Sequence, residues 1–380
     1  MIGVTMNNIR LSKSSIGAEE KQAVMRILDS EYLGMGLEVQ RFEKEIAEYI
    51  GVDSSNVICT NTGTSALHLA LACLDIGPGD EVLVPSLTYV ASYQAISATG
   101  ATPVSCDVTA NDLFIDAYDA EKRVTNTTKA IMPVHYASNS EGMPAVYALA
   151  KKYELAVIED AAHSFGCVRG SDSVGFSGDI ICFSFDGIKN ITSGEGGAVV
   201  TGRKNIQKKI SDARLLGIEK DADKRYSGNR SWNFDVKRQG FRYHMSDIMA
   251  AIGRQQLKKI DVFGKKRREL AQEYVDSFKH IDNIELLSFD YRNMIPHIFV
   301  IKIKNGLRDA LRQHLLNCGI ETGIHYQLNH LLTFYSSTYE LPVSNDVIKE
   351  IISLPMHADI SKEDRACVIF EVVNYLKNNG

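Results

Sequence analysis

From about Asn56 to Val200 the chain alternates short apolar, β-rich runs with helical stretches, and this alternation does most to narrow its possible folds. The runs Glu81–Pro85, Thr102–Cys106, Ala130–Val134, Leu155–Ile158 and Ile180–Phe183 predict buried strands. Amphipathic stretches near 89–99, 115–123 and 143–153 predict helices crossing between the first four. Apolar strands joined by crossover helices imply an α/β class with a mostly parallel sheet covered on both faces. Ligands of such sheets bind beyond the carboxyl ends of the strands, so functional residues are sought just after the apolar runs.

Residues 203–245 are charged and hold the single tryptophan, Trp232; they predict a surface helix followed by a long excursion. Ser246-Asp247 then reads as the N-cap of a helix running to about Ile260. A second α/β pattern follows, with strands near 283–287 and 297–303 and helices near 306–318 and 362–378. A chain of 380 residues is long enough for two domains, and we expect a large one over 1–250, with an N-terminal arm, and a smaller C-terminal one over 251–380.

Composition removes several function classes. A formal net charge of −5 leaves no electrostatic footprint for nucleic acid. The seven cysteines, at 59, 73, 106, 167, 182, 318 and 367, are scattered and without CxxC pairing, so neither a disulfide framework nor a zinc site is expected, and no metal is assigned. Met1 to Ser15 is polar and lacks the apolar centre of a secretory signal, and no apolar run nears the ~20 residues that span a bilayer. The expectation is a cytoplasmic protein without a membrane or nucleic-acid partner.

Two segments carry chemistry. Val157-Ile158-Glu159-Asp160-Ala161-Ala162-His163 ends an apolar run on acid, and Phe183-Ser184-Phe185-Asp186-Gly187-Ile188-Lys189 leads into a Gly/Ser-rich turn closing on Gly194-Glu195-Gly196-Gly197. A lone lysine in such a turn, with an acid at a neighbouring strand end, suits pyridoxal phosphate: the lysine forms the Schiff base and Asp160 pairs with the pyridinium nitrogen. A desolvating pocket lowers the Lys189 amine towards nucleophilicity, and the same amine, once displaced, can shuttle a proton. Each residue alone has a plain alternative, a solvated lysine and a capping aspartate; together they favour the cofactor.

Gly63, Thr64 and Ser65 open a clear amphipathic helix whose N-terminus suits a phosphate, or serve as a simple cap. Tyr89 either stacks on the cofactor ring or edges the core, His163 either bonds the cofactor's phenolic oxygen or caps its turn, and Ser184 either donates to the phosphate or bonds backbone.

With these residues assembled, the chain resembles the DegT/DnrJ/EryC1/StrS family of sugar aminotransferases, of PLP fold type I. The resemblance runs over nearly the whole chain. It rests on Gly34-Met35-Gly36 with Phe42-Glu43, Gly63 to Leu67, Pro85-Ser86-Leu87-Thr88-Tyr89, Pro133-Val134-His135-Tyr136, Glu159 to His163, the Lys189 segment and Met245-Ser246-Asp247. Later come His325-Tyr326, His330 and Leu354-Pro355-Met356-His357. The resemblance implies a seven-stranded-type sheet, catalysis by Lys189 and Asp160, and cofactor binding by Gly63, Thr64, Ser65, Tyr89, His163 and Ser184. It further implies a symmetric homodimer with shared sites. The expected reaction moves the amino group of L-glutamate, through pyridoxamine phosphate, to a keto sugar on a nucleotide diphosphate. His325, Tyr326 and His330 are the candidate substrate contacts.

Two segments depart from the family. Where many relatives read GYNYRM-like, with an Asn reaching the neighbouring subunit's cofactor phosphate, this chain reads Gly240-Phe241-Arg242-Tyr243-His244-Met245; Arg242, a stronger phosphate partner, is expected to keep the role. Ser138-Asn139-Ser140 replaces a more usual glycine-containing turn. The Tyr243 and Met245 pattern resembles members acting at C4 of 4-keto-6-deoxyhexoses more than those acting at C3. For the nucleotide we expect dTDP ahead of UDP and GDP. Sugar dehydratases of this fold replace the lysine with histidine, so Lys189 argues against them, and no helix-turn-helix or basic segment supports a regulator. The amino sugar formed would serve an O-antigen or other surface polysaccharide, a glycan or a glycosylated natural product.

Overall fold

Val82, Leu83 and Val84 are buried without remainder, and so are Ile158 and Ile180 in the neighbouring runs. Strands covered on both faces need such unbroken apolar sequence, and a computed structural model of the chain, describing residues 8–219, 221–227, 229 and 232–379, places them in one central sheet. Its seven strands lie in the order Val57–Thr60, Gly197–Val200, Ile180–Ser184, Ala156–Asp160, Thr128–Ile131, Glu81–Pro85, Thr102–Cys106. Only Gly197–Val200 runs against the rest, pairing antiparallel with both its neighbours.

Most of the expected elements are present. Glu81–Pro85 and Thr102–Cys106 are strands, and the crossover helices are Val90–Ser97, Ala117–Lys122 and Met143–Tyr153. The run expected over 130–134 instead forms a strand over Thr128–Ile131, beyond which Val134 bridges Asp160. Val57–Thr60 and Gly197–Val200 are two further strands; both are only four residues long, and the second opens on Gly197 and Ala198, which have little β preference. The helix Gly63–Cys73 is not amphipathic as expected: from Ser65 to Leu71 every residue is buried, because the helix lies between the sheet and the helices Val90–Ser97 and Lys204–Ala213.

Ser246 caps the helix Asp247–Leu257, its Oγ accepting from Met249 N at 3.3 Å. This helix packs on Ala18–Asp29 and Leu37–Ile50, then gives way to the longer helix Ile260–Phe278. That second helix spans two cores, placing Ile260 and Phe263 with the large sheet and Leu270, Tyr274 and Phe278 with a smaller one. The smaller sheet is antiparallel, with Phe299–Ile303 between Ile284–Leu286 and Ile351–Leu354, and the helices Arg308–Asn317 and Lys362–Asn379 pack together beside it. Among the described residues no helix is long and apolar enough to cross a membrane.

Candidate active site

At the carboxyl ends of the parallel strands a cavity of about 420 Å³ gathers nine of the expected site residues: Gly63, Thr64, Tyr89, Asp160, His163, Ser184, Lys189, His325 and Tyr326. Another recess, about 850 Å³ and more open, lies near Lys44, Lys204 and Tyr226 but contains none of them. The chemistry therefore points to the smaller cavity.

Asp160 ends its strand with the carboxyl group buried. Ser92 Oγ donates to Oδ2 at 2.7 Å, Thr88 Oγ1 stands 2.9 Å behind Ser92, and the Ala162 N–H donates to Oδ1 at 3.2 Å. Burial raises the Asp160 pKa above the ordinary carboxylate range, against these hydrogen bonds and the charge of Lys189. A cationic ring nitrogen brought to this carboxyl would favour its ionised form.

Lys189 follows from a turn in which its own N–H donates to Asp186 O at 3.1 Å. The residue as a whole is half-buried, but its amine is enclosed by protein, and burial lowers it from 10.5 to about 8 despite Asp186 and Asp160. Nζ lies 3.3 Å from Nε2 of His297, a buried residue that sequence reasoning did not single out. Burial first, then the Lys189 charge, pushes His297 and His163 well below the usual histidine range, so both imidazoles are neutral. His163 Nε2 is 2.9 Å from the Tyr326 hydroxyl, and its Nδ1 is buried without a hydrogen-bond partner. His325 lines the same wall; burial lowers it to about 4, and its Nδ1 meets Ser353 Oγ at 2.8 Å.

The unusual turn at Ser138 supports this wall. Ser138 has φ 75°, a left-handed conformation that favours glycine. Its hydroxyl lies 2.5 Å from His163 O and 2.8 Å from Ile295 O, and accepts from His297 N at 3.0 Å. The serine thus ties the loop after Asp160 to the segment carrying His297. Arg267 holds the same segment from behind, donating to the carbonyls of Pro296 and His297.

Three expected residues are placed elsewhere. Ser65 is absorbed in the cap: its N–H donates to Thr62 Oγ1 at 3.0 Å, and its Oγ bonds Asn61 Oδ1 at 2.7 Å. His330 lies outside the cavity, locked to Ser86 with Nδ1 2.7 Å from Oγ. Arg242 is exposed, on a segment bridging Leu215, and does not line this cavity. Gly63 is needed for a close approach, since a Cβ there would come within 2.7 Å of Ser184 Cβ; its absence lets the helix N-terminus meet the strand end. Tyr89 is half exposed at the mouth, its ring 5.5 Å from that of Tyr326. No sequence signal marks Ser92 or His297, which reach the site through tertiary packing.

The arrangement fits the expected cofactor. Asp160 has no direct ion pair among the described residues, His163 Nδ1 is an orphan that a phenolic oxygen would satisfy, and the helix N-terminus beside Thr64 and Ser184 suits a phosphate.

The profile described as the DegT/DnrJ/EryC1/StrS aminotransferase family matches residues 14–373. The chain is 35% identical over 373 residues to the spore coat polysaccharide biosynthesis protein SpsC of Bacillus subtilis, covering 95% of each. Among solved structures it is similar to S. venezuelae DesV, with TM-score 0.86, 32% identity and 95% of each chain covered. It is likewise similar to the PMP-form of Spr1654 from Streptococcus pneumoniae, a putative sugar aminotransferase by its description, with TM-score 0.90, 26% identity and 98% of each chain covered.

Proposed function

The chain belongs to the DegT/DnrJ/EryC1/StrS aminotransferase family, and from that premise we propose that it transfers the amino group of L-glutamate to C4 of a nucleotide-linked 4-keto-6-deoxyhexose. It is a pyridoxal phosphate-dependent sugar aminotransferase. The observation that carries the site assignment is the convergence of Lys189, Asp160 and His163 on one cavity at the strand ends.

When bound, the cofactor supplies an electron sink for the carbon that loses or gains a proton. Lys189 is the amine that anchors it, and an amine near 8 is neutral often enough at physiological pH to act as nucleophile and base. Asp160, held by Ser92, would keep the ring nitrogen cationic, and His163 Nδ1 would bond the phenolic oxygen. Thr64, Ser184 and the N–H groups at Gly63 would hold the phosphate, while Ser65 stabilises that helix start by capping. Tyr89 would cover the ring, and His325 and Tyr326 form a cavity wall where the substrate would lie. Lys189 Nζ would also move the proton at the amine-bearing carbon.

Arg242, exposed and outside its own chain's cavity, is assigned to the cofactor phosphate of a second subunit. The working unit is then a homodimer; a stable monomer with full activity in light scattering and assay would remove this assignment. SpsC is described as a spore coat polysaccharide biosynthesis protein, which supports a surface-polysaccharide sugar as the product.

The deciding experiment is NMR of purified enzyme with pyridoxal phosphate, L-glutamate and dTDP-4-keto-6-deoxyglucose. A 4-amino-4,6-dideoxy product supports the proposal, and its ring couplings give the stereochemistry at C4. Conversion of the cofactor to pyridoxamine phosphate without sugar product would reject this acceptor and direct trials to UDP, GDP and 3-keto substrates.

A further inference from the structure

Far along the chain, His314 and Cys318 are four residues apart at the end of the helix Arg308–Asn317, and Cys367 and Glu371 are four apart on Lys362–Asn379. That spacing puts each pair on one helical face. The two helices pack together, so the faces meet: His314 Nε2 is 2.8 Å from Glu371 Oε2, Cys318 Sγ is 3.5 Å from the same oxygen, and the sulfur is 3.7 Å from His314 Nε2. The side chains of His314, Cys318 and Glu371 are half-buried, and the His314 ring rests 4.8 Å from that of Tyr375, one turn beyond Glu371.

We propose that His314, Cys318 and Glu371, whose ligand atoms lie within 4.8 Å of one another, bind a zinc ion that clamps the last helix to its neighbour, with water in the fourth position. Zinc bonds of about 2.3 Å to sulfur and about 2.0–2.2 Å to nitrogen and oxygen give tetrahedral edges of roughly 3.3–3.6 Å. The two contacts of Cys318, at 3.5 and 3.7 Å, lie close to such edges. Only the direct His314–Glu371 contact must open to admit the ion. The donor set selects the metal, since thiolate and imidazole disfavour magnesium and calcium. Binding releases the Cys318 thiol proton to solvent, leaves the three side chains joined to one divalent ion, and involves no change of oxidation state. Sequence inspection expects no zinc site because the ligands come from two helices far apart in the chain. The inference is independent of the substrate, since neither helix contributes to the cofactor cavity.

The test uses tag-free, full-length holoenzyme, reduced and stripped with a chelator. Elemental analysis after zinc addition and gel filtration should find one zinc per chain. Cobalt should give the intense visible bands of a tetrahedral ion, read at wavelengths beyond the cofactor's absorption. Cys318→Ala and His314→Ala should each lose the retained zinc and the tetrahedral spectrum, while circular dichroism and the cofactor's absorbance report that they still fold. Zinc should raise the Tm of the parent enzyme but not of Cys318→Ala. A parent enzyme that keeps no zinc, a six-coordinate cobalt spectrum, or retention unchanged in Cys318→Ala would overturn the proposal, leaving His314 and Glu371 a simple ion pair.

Discussion

Glu159 and Asp160 are consecutive on one strand, and alternation along the strand sends their carboxyl groups to opposite faces of the sheet. Both are buried, yet their surroundings differ. Glu159 accepts from the Tyr147 hydroxyl at 2.6 Å and from Arg169 Nη1 at 2.7 Å, and His135 Nε2 lies 2.9 Å away. Burial pushes its pKa up, but His135 and Arg169 outweigh that and hold it at about 2. Asp160 has hydroxyl and amide donors, and the charges of Lys189 and His135 act on it without a direct ion pair, so burial wins and its pKa is raised. One acid is satisfied by direct ion pairs with the chain's own cations; the other has none among the described residues. Where a fold leaves a buried charge uncompensated, a ligand is expected.

The sharpest way to break this comparison is Asp160→Asn. It should keep the fold and the bound cofactor but slow the half-reaction with glutamate by roughly 10²–10³-fold, the scale of removing one preorganised electrostatic partner. Stopped-flow absorbance with the purified variant measures this. A near-parental rate would mean that Asp160 is no more functional than its neighbour.

Glu159→Gln should show the reverse pattern. Removing one side of a buried charge pair costs about 3 kcal/mol of stability, the low end because Arg169 keeps some solvent contact, and activity per folded molecule should hold. The pH dependence follows from the sign of the shift. Glu159 is depressed from 4.5 to about 2, so its stabilisation is complete above 4.5 and is lost as pH falls through the interval to about 2. Asp160, raised, acts oppositely, its burial opposing stability once pH rises past its ordinary value of 3.8. Denaturant titrations across acid pH should find the downward slope weakened in Glu159→Gln; an unchanged slope would mean that Glu159 is not held ionised by its partners.

This contrast was half legible in the sequence. Asp160 and Lys189 stand out because each follows an apolar run, and parallel sheets gather such positions at one end. His163, three residues after Asp160, comes with it. Ser92 and His297 carry no such mark: the first projects from a crossover helix, and the second precedes a strand of the smaller sheet, so only packing brings them to the cavity. Ser65 sits in the cap, and a capping hydroxyl and a phosphate-binding hydroxyl look alike in sequence; the buried bond that holds His330 to Ser86 leaves no trace there. The same limit applies to the strands: runs such as Val82–Val84 declare themselves by composition, whereas Gly197–Val200 is a strand only because neighbours on both sides pair with it.

Lys189 extends the comparison to the cationic side and carries the smallest of the expected effects. Arg214, like Glu159, is buried with its charge answered, its guanidinium set against Glu43 and donating to Tyr226. Lys189 instead meets the neutral His297, and its amine is lowered to about 8 by burial. The fraction of free amine should therefore rise with pH, by roughly five-fold between pH 7 and 8 for a group titrating near 8. Reassociation of cofactor-free enzyme with pyridoxal phosphate, followed by absorbance over a pH series, should accelerate with a midpoint near 8. His297→Ala would admit water beside the amine and move that midpoint up, towards the ordinary 10.5. A parental midpoint already at that ordinary value would show that the cavity does not desolvate the amine. A variant midpoint unmoved from the parent's would show instead that packing around the lysine, and not the imidazole 3.3 Å away, sets its proton affinity.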